Sequence, residues 1–293
     1  MKTTGIGLLL VLLLTVGCSR SAEGPVAAAQ QGLPPGFELS EFATGLGAAR
    51  FMAFGPDGTL YVSSIRAGTV LALPDRDQDG RADEVITFAE GLTSPHGLAW
   101  RDPSTGDEAG GWLYVGETHR VVRLRDTDGD GRADLKTTFA KGFSRPHGLA
   151  FHDGYLYVAD TRRVWRLPYR PGQTTGGRRP EPVTAAGALG AGAGHWTRNI
   201  AISPDGRRLY VAIGSSSNIG EEPEPRATVQ VFDLEGGGQE TFAAGLRNPV
   251  GIAFYPGTDD LYVAVNERDG LGDDLVPDYL TRLEPGGFYG WPY

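Results

Sequence analysis

The sequence predicts an all-β fold: a β-propeller built from four-stranded antiparallel blades. Three observations carry this expectation. The tripeptide Leu-Tyr-Val recurs five times, starting at Leu60, Leu113, Leu156, Leu209 and Leu261, with spacings of 53, 43, 53 and 52 residues. Each copy follows a short apolar segment and a turn rich in Pro, Asp or Gly. With 44 Gly and 20 Pro in 293 residues, the composition favours many short strands and frequent turns over long helices. One four-stranded unit of this length cannot bury both faces of its sheet, so successive units must stack around an axis.

The strands follow in order within each unit. First strands are expected at 51–54, 97–100, 148–151, 199–202 and 251–254. Turns such as Gly55-Pro56-Asp57-Gly58 and Ser203-Pro204-Asp205-Gly206 then reverse the chain. Proline presets φ there and glycine takes the positive φ. Leu-Tyr-Val forms the second strand, and 70–73, 121–124 and 164–167 form the third. The fourth is marked by Phe-Ala-x-Gly-Leu/Phe at Phe42, Phe88, Phe139 and Phe242. Units starting near Arg50, His96, His147, Arg198 and Asn248 make five blades. The Phe42 segment precedes the first unit, as an outer strand that closes a ring would. The expectation is a six-bladed propeller of which about five blades are present in this chain.

The first residues read as a targeting segment. Lys2 supplies a minimal positive region, and the apolar run from Ile6 to Val16 is too short to span a bilayer. Cys18, the single cysteine, ends that run behind small residues, as in a bacterial lipobox; the alternative is an ordinary signal peptide cut elsewhere, near Ala22. Residues 1–18 are thus expected to be a signal segment, 19–35 a flexible tether and 36–293 the propeller. Either form of the signal takes the protein out of the cytoplasm, to the periplasm or cell envelope, and Cys18 would be its only link to a membrane. A lone cysteine allows no internal disulfide. The net charge of −9 argues against nucleic acid as a partner, because phosphate binding needs a basic face. It leaves room for a small acidic ligand held by a few local arginines.

Two hairpins, one blade period apart, carry Asp75-x-Asp77-x-Asp79-Gly80-x-x-Asp83 and Asp126-x-Asp128-x-Asp130-Gly131-x-x-Asp134. Oxygen ligands at positions 1, 3 and 5 with Gly at 6 match the start of a calcium loop. The terminal Glu of an EF-hand is absent, since Ile86 and Thr137 stand at position 12. Structural calcium or an empty, solvated hairpin are the two readings.

In a propeller the loops entering the inner strands line one mouth of the central channel. Polar residues there converge from distant sequence positions: His96, His147, the segment from His195 to Asn199, and Arg247-Asn248. His96 and His147, each in Pro-His-Gly, suit a structural or pocket-lining role. His195 lies between Gly194 and Trp196, where flanking glycines would let the backbone approach a ligand.

Four segments, Gly194-His195, Leu246-Arg247-Asn248-Pro249, Asn266-Glu267-Arg268-Asp269 with Gly272-Asp273-Asp274, and Gly286-Gly287-Phe288-Tyr289-Gly290-Trp291-Pro292, carry a resemblance. From about Phe37 onwards the chain resembles the soluble quinoprotein sugar dehydrogenases, most closely their sorbosone dehydrogenase-like branch. That resemblance implies a six-bladed propeller binding pyrroloquinoline quinone (PQQ) and calcium and oxidising an aldose or sugar-derived aldehyde. It implies that His195 acts as general base and that Arg247 stabilises negative charge on the quinone. Asn248, Glu267, Arg268 and Trp291 would join Arg247 around the cofactor. Asp269, Asp273 and Asp274 would hold calcium, directly or through other groups. Electrons would leave to a separate acceptor, since no Cys-x-x-Cys-His haem site is present. Two departures stand out. Ser215 occupies the place where glucose-oxidising members carry an acid that orients the base. The basic residues that pair with the cofactor's carboxylates lie, in the family, largely beyond Trp291, so this chain reads as C-terminally truncated. A non-catalytic binding propeller and a calcium-dependent lactonase are the alternatives.

Overall fold

In the computed structural model the described residues are 33, 35–101, 111–177, 179–190, 192–272 and 275–293. Residues 1–42 and 43–293 form separate compact units. The described part of the first has no strand, and Cys18 lies outside the described residues. Phe42 is in irregular chain, so the strand expected there does not form. Phe-Ala-x-Gly is competent as an outer strand only when a third strand offers its edge. At Phe88, Phe139 and Phe242 such an edge is present.

The second unit is all-β, and no helix occurs among the described residues. Blade 1 comprises β1 (Ala49–Phe54), β2 (Leu60–Ser64), β3 (Thr69–Leu73) and β4 (Ile86–Ala89). Blade 2 comprises β5 (Leu98–Arg101), β6 (Trp112–Gly116), β7 (Arg120–Arg125) and β8 (Leu135–Lys141). Blade 3 comprises β9 (Gly148–His152), β10 (Tyr155–Ala159), β11 (Val164–Pro168) and the two-residue β12 (Glu181–Pro182). Blade 4 comprises β13 (Arg198–Ile202), β14 (Arg208–Ile213), β15 (Thr228–Asp233) and β16 (Glu240–Ala244). Blade 5 has three strands among the described residues: β17 (Asn248–Phe254), β18 (Leu261–Asn266) and β19 (Tyr279–Arg282). Within each blade the strands pair in sequence order and antiparallel, as short hairpin turns require. A final strand, β20 (Gly287–Phe288), leaves blade 5 and adds to blade 4 parallel to β16, pairing Ala243 with Gly287 and Ala244 with Phe288. Gly245 makes this possible. Its φ is +72°, and a Cβ there would lie 2.8–2.9 Å from Phe288, Tyr289 and Gly290.

The core is divided among the blade interfaces. Four clusters of buried residues lie between blades 1 and 2, 2 and 3, 3 and 4, and 4 and 5. The Leu-Tyr-Val tyrosine recurs in them, for alternation puts it on the face opposite its neighbours. Tyr61 stacks on Trp100 at 4.8 Å, Tyr114 meets Phe151 edge-on at 4.9 Å, and Tyr210 meets Phe254 at 5.3 Å. Each pair joins one blade's second strand to the next blade's first strand. Phe54 is blade 1's residue at that position and is 68% exposed. Between blades 1 and 5 lies a cleft of about 470 Å³ lined by Arg50, Met52, Gly251, Ala264, Tyr279 and Leu280.

At the axis the inner strands approach backbone to backbone. A Cβ on Gly97 would fall 1.5 Å from the His147 carbonyl oxygen, and one on Gly148 2.7 Å from the Ile200 nitrogen. The glycine of each Pro-His-Gly is therefore what lets the inner strands of blades 2, 3 and 4 come this close.

Candidate functional site

Three histidines lie just before inner strands, and each donates its N–H to a carbonyl at or just beyond the end of its blade's second strand: His96 to Gly116, His147 to Ala159 and His195 to Ser215. His96 and His147 are structural equivalents, two residues before Leu98 and Leu149, which pair with the valine of Leu-Tyr-Val; Arg198 holds that place in blade 4, and His195 lies three residues before it at the same end of the axis. Their surroundings differ. The His96 and His147 rings are 4.9 Å apart, and both contact Trp196, at 5.1 and 4.5 Å. His147 is fully buried, and neither of its ring nitrogens has a hydrogen-bond partner. Burial pushes His96 down to about 4 and His147 well below its ordinary value. Both are neutral members of an aromatic cluster beneath the site. Their loops are held by buried acids: Glu117 accepts the Thr93 N–H, and Asp160 accepts those of Ser144, Arg162 and Arg163.

His195 is half-buried and differently wired. Its Nδ1 lies 3.0 Å from the Ser215 carbonyl oxygen and 2.9 Å from Ser215 Oγ. Ser215 Oγ donates its only proton to the Ser217 carbonyl at 2.6 Å. Both oxygens facing Nδ1 are thus acceptors, so Nδ1 carries the proton and Nε2 carries the lone pair. Burial, then the charge of Arg247, lowers the His195 pKa and keeps the ring unprotonated near neutrality. A neutral imidazole with a free Nε2 is the form that accepts a proton.

The backbone around His195 is clamped by two arginines. Arg198, fully buried, donates to the carbonyls of His195, Thr197 and Leu189. Arg226 donates to those of Ala193, His195 and Ser215. Burial pushes Arg198 down to about 9, which still leaves it charged at neutral pH. Gly194 has a packing role. Its φ is +67° and a Cβ would lie 2.2 Å from the Ser216 carbonyl, so the glycine packs two loops together. Gly214 is the close contact of the site itself. A Cβ there would be 2.5 Å from Asn248 Oδ1 and 2.6 Å from His195 Cβ.

Arg247 is 3% exposed. Nε donates to the Asn218 carbonyl at 3.0 Å, Nη2 to Asn218 Oδ1 at 2.8 Å and to Asp269 Oδ2 at 2.7 Å, and Nη1 to the carbonyls of Asn266 and Glu267. Asn248 lies beside it, with Oδ1 buried and lacking a partner. Glu267, Arg268 and Trp291 line one small cavity of about 150 Å³ together with Tyr279 and Tyr289. Trp291 Nε1 donates to the Asn218 carbonyl at 3.1 Å. The predicted cofactor residues therefore do gather. Asp269 is in the same neighbourhood, ion-paired to Arg247, whereas Asp273 and Asp274 lie outside the described residues. Sequence reasoning missed Asn218 and Arg226. They belong to no motif; the available signal was that Asn218 and Asp269 stand 51 residues apart, about one blade period, and bond to each other.

The two Asp hairpins join the third and fourth strands of blades 1 and 2, well away from these residues in the chain. One carboxylate oxygen from each of Asp75, Asp77 and Asp79, and likewise of Asp126, Asp128 and Asp130, falls within 4.8 Å of the others. Asp75 and Asp126 also accept N–H groups of their own loops, from Asp79, Gly80, Gly129 and Gly131. Asp83 and Asp134 stand outside these groups and close the hairpins, accepting from the Arg76 N–H and the Thr127 hydroxyl.

The holo form of the pyranose dehydrogenase PQQ domain from Coprinopsis cinerea matches 67% of this chain and 49% of its own, with 20% identity and a TM-score of 0.53. A calcium structure of a Trichoderma reesei carbohydrate-active enzyme of family AA12 matches 86% of this chain and 62% of its own, with 20% identity and a TM-score of 0.58. At such identities these likenesses show the propeller fold. An uncharacterized protein of Borreliella burgdorferi is 26% identical over 164 residues, 53% of this chain and 43% of that protein. The chain thus spans about half the length of these relatives. The family profile described as TrAA12-like matches residues 84–279, which include blades 2 to 4, His195, Arg247 and most of blade 5, and the protein therefore belongs to the TrAA12-like family.

Proposed function

We propose that the protein is a quinoprotein oxidoreductase that oxidises a sugar or sugar-derived aldehyde, sorbosone-like in class, with PQQ and calcium. The observation that carries this reading is the wiring of His195. Ser215 fixes the proton on Nδ1 and leaves Nε2 as a base, beside the buried guanidiniums of Arg198, Arg226 and Arg247. The charge suits a polar anionic group: three buried arginines held by protein oxygens lie around His195, and Arg268 Nε is buried nearby without a partner. Arg247, Asn248, Glu267, Arg268 and Trp291 would hold PQQ, and Asp269, with Asp273 and Asp274, would hold calcium. When bound, PQQ supplies the two-electron acceptor for the substrate's C–H hydride. His195 Nε2 takes the proton of the substrate hydroxyl as that C–H bond breaks. Arg247 supplies positive charge where negative charge develops. Arg198 and Arg226 fix the His195 backbone, so the base does not drift as it protonates. Ser215 orients the imidazole but does not neutralise imidazolium as a carboxylate would, so His195 stays a weak base and favours a readily oxidised substrate.

The same proposal includes structural calcium in the Asp75 and Asp126 hairpins, export with a lipid anchor at Cys18, and a separate electron acceptor. A six-bladed ring is also part of it, supported by Phe54, which is exposed at the position where Trp100, Phe151 and Phe254 pack on a neighbouring blade.

The test is reconstitution with PQQ and calcium, followed by aldoses and an artificial electron acceptor. Turnover is expected, and His195→Gln should abolish it while PQQ stays bound. Absence of PQQ binding sinks the proposal, and binding without turnover converts it to a cofactor-binding module.

A further inference from the structure

We propose that Asn218 is the positioning residue of this site: it sets Arg247 and Asp269 relative to each other and so fixes the geometry offered to a ligand. Asn218 is exposed and lies in the Ser-rich loop after β14, yet it takes part in five hydrogen bonds. Its carbonyl accepts from Arg247 Nε and from Trp291 Nε1. Its Oδ1 accepts from Arg247 Nη2 and from the Asp269 N–H, both at 2.8 Å, and its Nδ2 donates to the Asp269 carbonyl at 2.9 Å. Because both groups facing Oδ1 are donors, the amide orientation follows from the network.

A guanidinium has five N–H donors. Those of Arg247 end on Asn218 twice, and on Asn266, Glu267 and Asp269 once each. The buried cation is therefore saturated, and Asn218 supplies two of its partners. Asp269 has the opposite problem, with a side chain 87% exposed. Its backbone is held on both sides by the Asn218 amide, which leaves its carboxylate against Arg247. Only an amide at this position accepts twice and donates once. Aspartate keeps the acceptor but turns a second oxygen towards the Asp269 carbonyl, and alanine loses every side-chain contact.

The inference rests on the proposed cofactor site, but its decisive readouts do not depend on turnover. Asn218→Ala and Asn218→Asp are compared with the unaltered protein by nitrogen-15 NMR of the Arg247 Nε–H, hydrogen exchange at the Asp269 amide, and PQQ affinity in calcium from tryptophan quenching. A circular-dichroism melt checks folding. Asn218→Ala is expected to speed Asp269 exchange at least tenfold, shift the Arg247 Nε–H resonance and weaken PQQ roughly tenfold. Asn218→Asp, nearly isosteric, is expected to retain the Arg247 signal and to fall between the two in exchange and affinity. Wild-type exchange and an unshifted Arg247 signal in a folded Asn218→Ala protein overturn the inference. If the unaltered protein fails to bind PQQ, the cofactor reading falls, and the NMR and exchange results still decide the role of Asn218.

Discussion

Acid should weaken this fold through its axial histidines, and His96 allows the effect to be sized. In the folded protein burial holds His96 near 4, against 6.5 in the unfolded chain. Between these values the unfolded state binds a proton that the folded state refuses. Stability is therefore complete above about pH 6.5 and falls as the pH drops towards 4. Each tenfold in proton affinity is worth about 1.36 kcal/mol, so His96 alone removes roughly 3 kcal/mol over that window. His147, displaced in the same direction by burial and by His96, adds to the loss. The perturbation is His96→Asn, whose amide takes the place of Nδ1 and donates to the Ser94 carbonyl as His96 does at 2.6 Å. Urea unfolding at a series of pH values from 7.5 to 4.5 gives the free energy at each. The unaltered protein should lose stability with a slope approaching two protons near pH 5, and His96→Asn should remove about one of them. Coincident slopes for the two proteins would refute the assignment of His96 as a buried neutral base.

Gly214→Ala should cost about 1–3 kcal/mol in urea unfolding and cut PQQ binding and turnover, because its Cβ meets His195 and Asn248 at 2.6 and 2.5 Å; unchanged affinity would show that the site has slack. Calcium at a hundredfold excess over its dissociation constant should stabilise the protein by about 2.7 kcal/mol for each occupied hairpin relative to chelator, and Asp126→Asn together with Asp75→Asn should erase the hairpins' share; a melting curve indifferent to calcium would support empty hairpins. Phe151→Ala should cost about 3 kcal/mol, since its ring packs on Tyr114 and Tyr169. Phe54→Ala, at the equivalent but 68% exposed position, should stay within about 0.5 kcal/mol; equal costs in urea unfolding would mean that Phe54 is covered.

The blades were legible because their determinants are local and repeated. Leu-Tyr-Val, the turn before it and the apolar strand preceding that turn each act within one hairpin, and a fivefold repeat averages out ambiguity. Phe42 failed as a strand because its pattern is necessary but not sufficient: an outer strand exists only where a neighbour's edge accepts it. The site was partly legible for a related reason. His195, Arg247 and Asn248 lie at or just before blade starts, and the topology must bring blade starts together. Asn218 and Arg226 were invisible because their roles lie in contacts between loops of different origin. The packing role of Gly194 was not legible, because a glycine beside a histidine has the same sequence signature whatever fills the space it leaves, which here is Ser216.

The return of β20 to blade 4 has a consequence for how the molecule opens. Residues 286–291 leave blade 5 and bond along β16, through Gly286 to Phe242, Tyr289 to Ala244 and Trp291 to Gly245. Blades 4 and 5 are thereby laced by the chain as well as by their shared core. Repeat arrays joined only through nearest-neighbour faces can fray one unit at a time. Here the outer edge of blade 4 cannot be exposed without first lifting the strand that follows blade 5. The two blades that carry His195 and Arg247 therefore behave as one cooperative block, and fluctuations that separate the base from its neighbouring cations are suppressed together.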